Sequence, residues 1–159
     1  SFVSRGLGDV YKRQILLSSI FFIIAPKNIS SGQEDGSLIF HGGYTFSSFK
    51  NQKSAAVYLT IINNNKKDIN IISLNTDIAK KAEIHEIIED KNIVKMKKMK
   101  KLGIKKGETI FLQPDGKHIM LFGLNKKLQD KEKFLIFFKT DSNKVQSAQI
   151  TVIDRNVRN

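Results

Sequence analysis

Ala55-Ala56-Val57-Tyr58-Leu59-Thr60-Ile61-Ile62 is rich in β-branched and aromatic residues and stops at the polar run Asn63-Asn64-Asn65-Lys66-Lys67. Branched side chains crowd a helical turn but pack well on a pleated surface, so an apolar run of this length bounded by turn residues predicts a strand. Strand-like runs recur on both sides of it: 37–46 before, then 69–74, 82–88, 92–98, 109–112, 118–124, 133–140 and 145–153. Polar turns separate them, most clearly Gln113-Pro114-Asp115-Gly116-Lys117, where Pro presets φ and Asp and Gly suit the tight positions. No window keeps a helical period over three turns, and 76–81 is expected to form at most one turn of helix. Eight or nine short strands in sequence predict an all-β domain, a two-sheet sandwich or a Greek-key barrel, with no internal repeat and no second domain.

Composition narrows the function classes. Of 159 residues, 40% are hydrophobic and 26% charged, which suits a packed domain rather than a disordered chain. Cysteine is absent, so these residues offer no disulfide, no thiolate nucleophile, no zinc–cysteine site and no lipid-modified cysteine. The net charge of +12 invites nucleic acid, but of 27 basic residues only Arg5, Arg13, Arg155 and Arg158 are arginine. A groove reader favours Arg for bidentate contacts, so no nucleic-acid partner is expected.

The N-terminus does not read like the rest. Residues 1–14, with Ser4-Arg-Gly-Leu-Gly-Asp-Val-Tyr-Lys-Arg-Gln14, look like a translated sequencing adaptor and are set aside from the fold. The apolar run Ile15-Leu-Leu-Ser-Ser-Ile-Phe-Phe-Ile-Ile-Ala25 is too short for a bilayer span, which needs about 20 residues, but fits the core of a secretory signal. Residues 15–32 are therefore expected to be a truncated signal peptide, 33–154 an exported periplasmic domain that does not span the membrane, and 155–159 a short tail. Without Arg5, Lys12, Arg13, Asp9 and Lys27 the charge falls from +12 to +9, so the domain itself is basic.

All three Met (96, 99, 120) and two of the three His (85, 118) fall within one stretch. A hairpin of 82–88 and 92–98 turning at Asp90-Lys91 would set His85 directly opposite Met96 on one face, with Met99 on the other. His118 and Met120, two apart on a strand, share a face as well. The two imidazole–thioether pairs are expected to converge across the sandwich. Thioether sulfur is soft and neutral, a poor match for zinc, calcium or magnesium and a good one for Cu(I). His41, before Gly42-Gly43, is expected to be structural or exposed. Glu83 and Glu86 are weak candidates to accept an imidazole N–H, and Met99 could replace Met96 only through a bulge.

The spacing His85-x10-Met96-x21-His118-x-Met120 resembles the metal-binding signature of the periplasmic copper chaperones of the PCuAC type. Ala55-Ala-Val-Tyr-Leu-Thr-Ile-Ile-Asn63, Glu83-Ile-His-Glu86, Val94-Lys-Met96 and His118-Ile-Met-Leu-Phe-Gly-Leu124 resemble the surrounding family pattern. The resemblance covers roughly residues 39 to 152. It implies a cupredoxin-like β-sandwich binding one Cu(I) through His85, Met96, His118 and Met120. It also implies delivery of copper toward cytochrome c oxidase subunit II or a Sco-type protein; the domain itself is expected to be a monomer. Four protein ligands leave no open metal position, so a carrier is expected rather than an enzyme. Two features depart from the pattern: the chain ends at Arg155-Asn-Val-Arg-Asn159 without a His/Met-rich tail, and Lys95-Met-Lys-Lys-Met-Lys-Lys101 surrounds Met96 with charge. That charge reads as a solvated loop or as a docking face for an acidic partner. The competing function is a periplasmic interaction module that uses the Lys-rich face and has no metal role.

Overall fold

The computed structural model describes residues 37–90 and 93–155. The expectations for 1–14, for 15–32 and for the last four residues lie outside the described residues. Among the described residues ten strands follow one another: β1 Leu38–Phe46, β2 Ser54–Asn63, β3 Ile69–Asn75, β4 Ala79–Asp90, β5 Ile93–Lys98, β6 Leu102–Ile104, β7 Thr109–Leu112, β8 His118–Leu124, β9 Lys133–Thr140 and β10 Val145–Ile153. The all-β class is as expected. The short β6 escapes sequence reading because Leu102-Gly103-Ile104 is too brief to show a period. The expected helical turn at 76–81 is absent: β4 already begins at Ala79, and the Thr76 hydroxyl instead donates to the Leu135 carbonyl at 2.8 Å.

Strands β4, β8, β2, β1, β10, β9 and β3 pair in that order, and β3 returns to β4 through one residue pair, Leu74↔Ala82. The sheet thus closes on itself, with β5, β6 and β7 added along β4, β3 and β2. β1 and β10 run parallel. Alternation sends Val57, Ile61, Ile119, Leu121, Ile136, Phe138 and Ile150 inward, each with no exposed surface. A side chain buried to that degree contributes roughly 1.5–3 kcal/mol, so this interior supplies most of the driving force for closing the sheet.

A bulge shapes the outer face. The β1–β2 register shifts between His41 and Tyr44, Gly42 has φ +61°, and a Cβ on Gly43 would stand 2.6 Å from the Gln149 carbonyl oxygen. Leu38 and Phe40 face the core before the bulge, Thr45 after it. Tyr44 and Phe46 are thereby turned outward beside Tyr58, with ring centroids 5.2 and 6.5 Å from it.

Candidate metal centre

β4 lies between β5 and β8, and its inward Ile84 faces Ile119. Residues one step away point outward, so His85 of β4 and His118 of β8 form a directly opposed cross-strand pair. Their ring centroids are 6.3 Å apart. Met120 stands opposite Glu83, one pleat along the same face. On the other side of β4, Met96 stands opposite Ile87 and Lys98 opposite His85.

Two expectations are corrected here. The hairpin is centred one residue later than Asp90-Lys91, so Asp90 faces Ile93 and Met96 is a diagonal rather than a direct partner of His85. A change of partner by two residues preserves the face. Met96 therefore still projects on the side of His85, within the roughly 7–8 Å diagonal spacing that a long side chain spans. Nor do the pairs meet across a sandwich; they lie on three neighbouring strands of one outer face, with His85 at the centre.

The hydrogen bonds determine which nitrogens are available. His118 Nδ1 lies 3.0 Å from the Gly116 carbonyl. A carbonyl only accepts, so Nδ1 carries the proton and Nε2 the lone pair. His85 Nε2 lies 3.2 Å from Glu83 Oε2, and Lys98 Nζ donates to Glu83 Oε1 at 2.6 Å. The Lys98 hydrogen bond holds the Glu83 carboxyl below its usual range, with the His85 bond adding to it and desolvation opposing. An ionised carboxylate also only accepts, so Nε2 of His85 carries its proton. Its Nδ1 is then a bare lone pair, and that atom is buried with no hydrogen-bond partner. A buried acceptor without a partner costs about 1–3 kcal/mol. A metal ion held there would relieve that cost.

Glu83, expected to be a weak candidate, is thus the acceptor of the His85 N–H. The signal was present: Glu83 is two residues before His85 and so on its face, while Glu86 is on the other. His118 is almost wholly buried, whereas Met96 is 54% exposed on a strand whose every residue is exposed. Met99 packs against the core and donates its backbone N–H to the Ile84 carbonyl, so it is committed inward and does not substitute for Met96. His41 is exposed and pairs with Thr60 on β1–β2, away from this group. Tyr58 and Phe122 flank the imidazoles, at 6.4 Å from His118 and 5.8 Å from His85 between ring centroids. A groove of about 270 Å³ between β3 and β4 shares Glu83 and Lys98 with this group and is rimmed by Lys80, Lys81, Lys98, Lys100 and Lys101.

Residues 38–152 match the LpqE-like family, described as lipoprotein LpqE-like. The chain is similar to the curated protein RP573 of Rickettsia prowazekii (strain Madrid E), with 28% identity over 107 residues, 67% of this chain and 59% of that protein. The chain therefore spans somewhat over half the length of that relative. Among solved structures, it resembles the copper-bound PCuAC domain from PmoF2 at a TM-score of 0.63 and 10% identity, covering 76% of this chain and 95% of that one. It also resembles the solution structure of CuI-DR1885 from Deinococcus radiodurans at a TM-score of 0.59 and 22% identity, covering 79% and 84%. At these identities the likeness establishes the shared cupredoxin-like fold.

Proposed function

Since the chain belongs to the LpqE-like family, and since its imidazoles and thioethers share one outer face, we propose that it is an extracytoplasmic copper carrier. In this reading His85 Nδ1, His118 Nε2 and the sulfurs of Met96 and Met120 hold a single Cu(I) ion. The observation that carries it is the buried, partnerless Nδ1 of His85, aligned with a second imidazole whose lone pair is freed by the Gly116 contact. Neutral nitrogen and soft sulfur donors suit Cu(I) and leave its charge uncompensated, so the ion is held without the grip of a thiolate cage. That suits cargo that must be handed on. The two solved structures that the chain resembles, a copper-bound PCuAC domain and CuI-DR1885, support the same cargo.

Handover uses the geometry of β5. Met96 is the exposed donor on an edge strand, while the histidines lie deeper. An acceptor offering its own soft ligand displaces the outermost thioether first, and the ion passes by stepwise ligand exchange with no redox step. The chain acts as a carrier and not an enzyme. The resemblance noted in the sequence points to the copper centres of cytochrome c oxidase, subunit II or a Sco-type protein, as destination, with a monomeric periplasmic protein brought there by its signal peptide. Among the described residues no helix is long and apolar enough to cross a membrane.

The test is Cu(I) loading against a competing chelator. One-to-one binding is expected, weakened at least about tenfold in Met96→Leu and in Met120→Leu, with the fold intact by circular dichroism. Binding that is unaltered in both variants would overturn the reading. It would favour the second one, an interaction module acting through the lysine-rimmed groove without metal.

A further inference from the structure

Lys98, Glu83 and His85 form a chain of contacts running from solvent to the buried ring: Lys98 Nζ to Glu83 Oε1 at 2.6 Å, then Glu83 Oε2 to His85 Nε2 at 3.2 Å. Exposure falls along it, from 57% for the Lys98 side chain to 20% for Glu83 and 12% for His85. The topology imposes this chain. Lys98 is the cross-strand partner of His85, and Glu83 is its diagonal neighbour and lies on the same face, so the three side chains are adjacent wherever their rotamers fall.

We propose that Lys98 sets how loosely the site holds its cargo, acting on His85 through Glu83. This rests on the copper reading above. A carboxylate accepting the far N–H of a ligating imidazole fixes the tautomer and raises the basicity of the nitrogen facing the metal. Glu83 does both for Nδ1 of His85. Lys98 competes for the same carboxylate. By drawing its charge toward the ammonium, it leaves His85 a weaker donor than an unopposed Glu83 would make it. The two residues therefore have opposite signs: Glu83 tightens the hold and Lys98 relaxes it. A chaperone that must release its ion gains from the second.

The experiment compares Glu83→Gln, Lys98→Ala, the double variant, and Lys97→Ala, which removes the same charge from the opposite face of β5. The readouts are the His85 tautomer by ¹⁵N NMR of the metal-free protein and Cu(I) affinity by chelator competition. In Glu83→Gln the side-chain amide can donate to Nε2, so the proton moves toward Nδ1 and binding weakens about 10- to 100-fold. Lys98→Ala keeps the proton on Nε2 and tightens binding about two- to fivefold, the size of an exposed ion pair. The Lys98→Ala effect shrinks when Glu83 is already Gln, and Lys97→Ala does not reproduce it. Three results would each overturn the proposal: an unmoved tautomer in Glu83→Gln, equal effects of Lys97→Ala and Lys98→Ala, or an undiminished Lys98→Ala effect in the double variant. If the tautomer responds but the parent protein takes up no copper, the copper reading fails while the contact chain stands, so the two failures are distinguishable.

Discussion

Glu83 shows how a single side chain can serve both stability and chemistry. Its carboxyl is held below the ordinary value of 4.5, first by the Lys98 hydrogen bond and then by His85, against desolvation. A depressed carboxylate stabilises the folded state above its unfolded pKa, and that contribution is lost as pH falls through the folded value. The sign is therefore acid-labile. The melting temperature of the parent protein should exceed that of Glu83→Gln at about pH 6, and the gap should close below about pH 4. An equal gap at both pH values would mean that the carboxylate makes no net stabilising contact. Met99 gives the complementary case. Because it packs against the core while Met96 is exposed, Met99→Ala should cost about 1–3 kcal/mol of stability and leave Cu(I) affinity within about twofold. Met96→Leu should do the reverse, staying within about 0.5 kcal/mol in chemical denaturation, as surface changes do.

The β4–β5 hairpin and the β1 bulge are the two elements that position the outer face. In the hairpin, a register error of two residues leaves every side chain on its face, whereas an error of one would send Met96 to the wrong side. The bulge turns Tyr44 and Phe46 outward against Tyr58, the ring beside His118, and it depends on backbone that only glycine permits. A Cβ on Gly43 would meet the Gln149 carbonyl oxygen at 2.6 Å and Ile150 Cδ1 at 2.7 Å, so the β1–β10 pairing must yield. Gly43→Ala is expected to cost about 2 kcal/mol or more, lowering the melting temperature by roughly 8 °C or more. A variant as stable as the parent would show that β1 can shift outward without loss.

Taken whole, the sheet is closed by unequal bonds. β2 buries alternate residues along its length and pairs with β8 from Ser54 to Val57, whereas β3 meets β4 at Leu74↔Ala82 alone. Hydrogen exchange should therefore be fastest around Leu74 and Ala82 and slowest at Val57, Ile119 and Leu121, since local opening follows the contacts that must break. Uniform protection would mean that the closure is cooperative throughout. Five lysines rim the groove beside this seam, and if the acceptor is acidic their field should raise its rate of encounter. Transfer of copper to an acidic acceptor should slow markedly between low and physiological ionic strength. A rate indifferent to salt would leave the lysines as solvated surface.

Legible in the sequence by itself were the all-β class, nine of the ten strands described, and two separate same-face pairs, His85 with Met96 and His118 with Met120; that both pairs share one outer face follows from the β4–β8 pairing. A period of two is written locally in every strand, and it fixes which side chains share a face whatever the neighbours do. It also spelled the spacing that resembles the copper chaperones. Only the tertiary structure decided which strands are adjacent, and with that the pairing of His85 with His118, the true hairpin register, the inward commitment of Met99 and the Lys98–Glu83–His85 chain. Those depend on loop closure and on long-range burial, which no local pattern encodes. The tautomers of the two imidazoles belong with them, because a proton settles on one nitrogen or the other according to the carbonyl or carboxylate that the fold brings within reach.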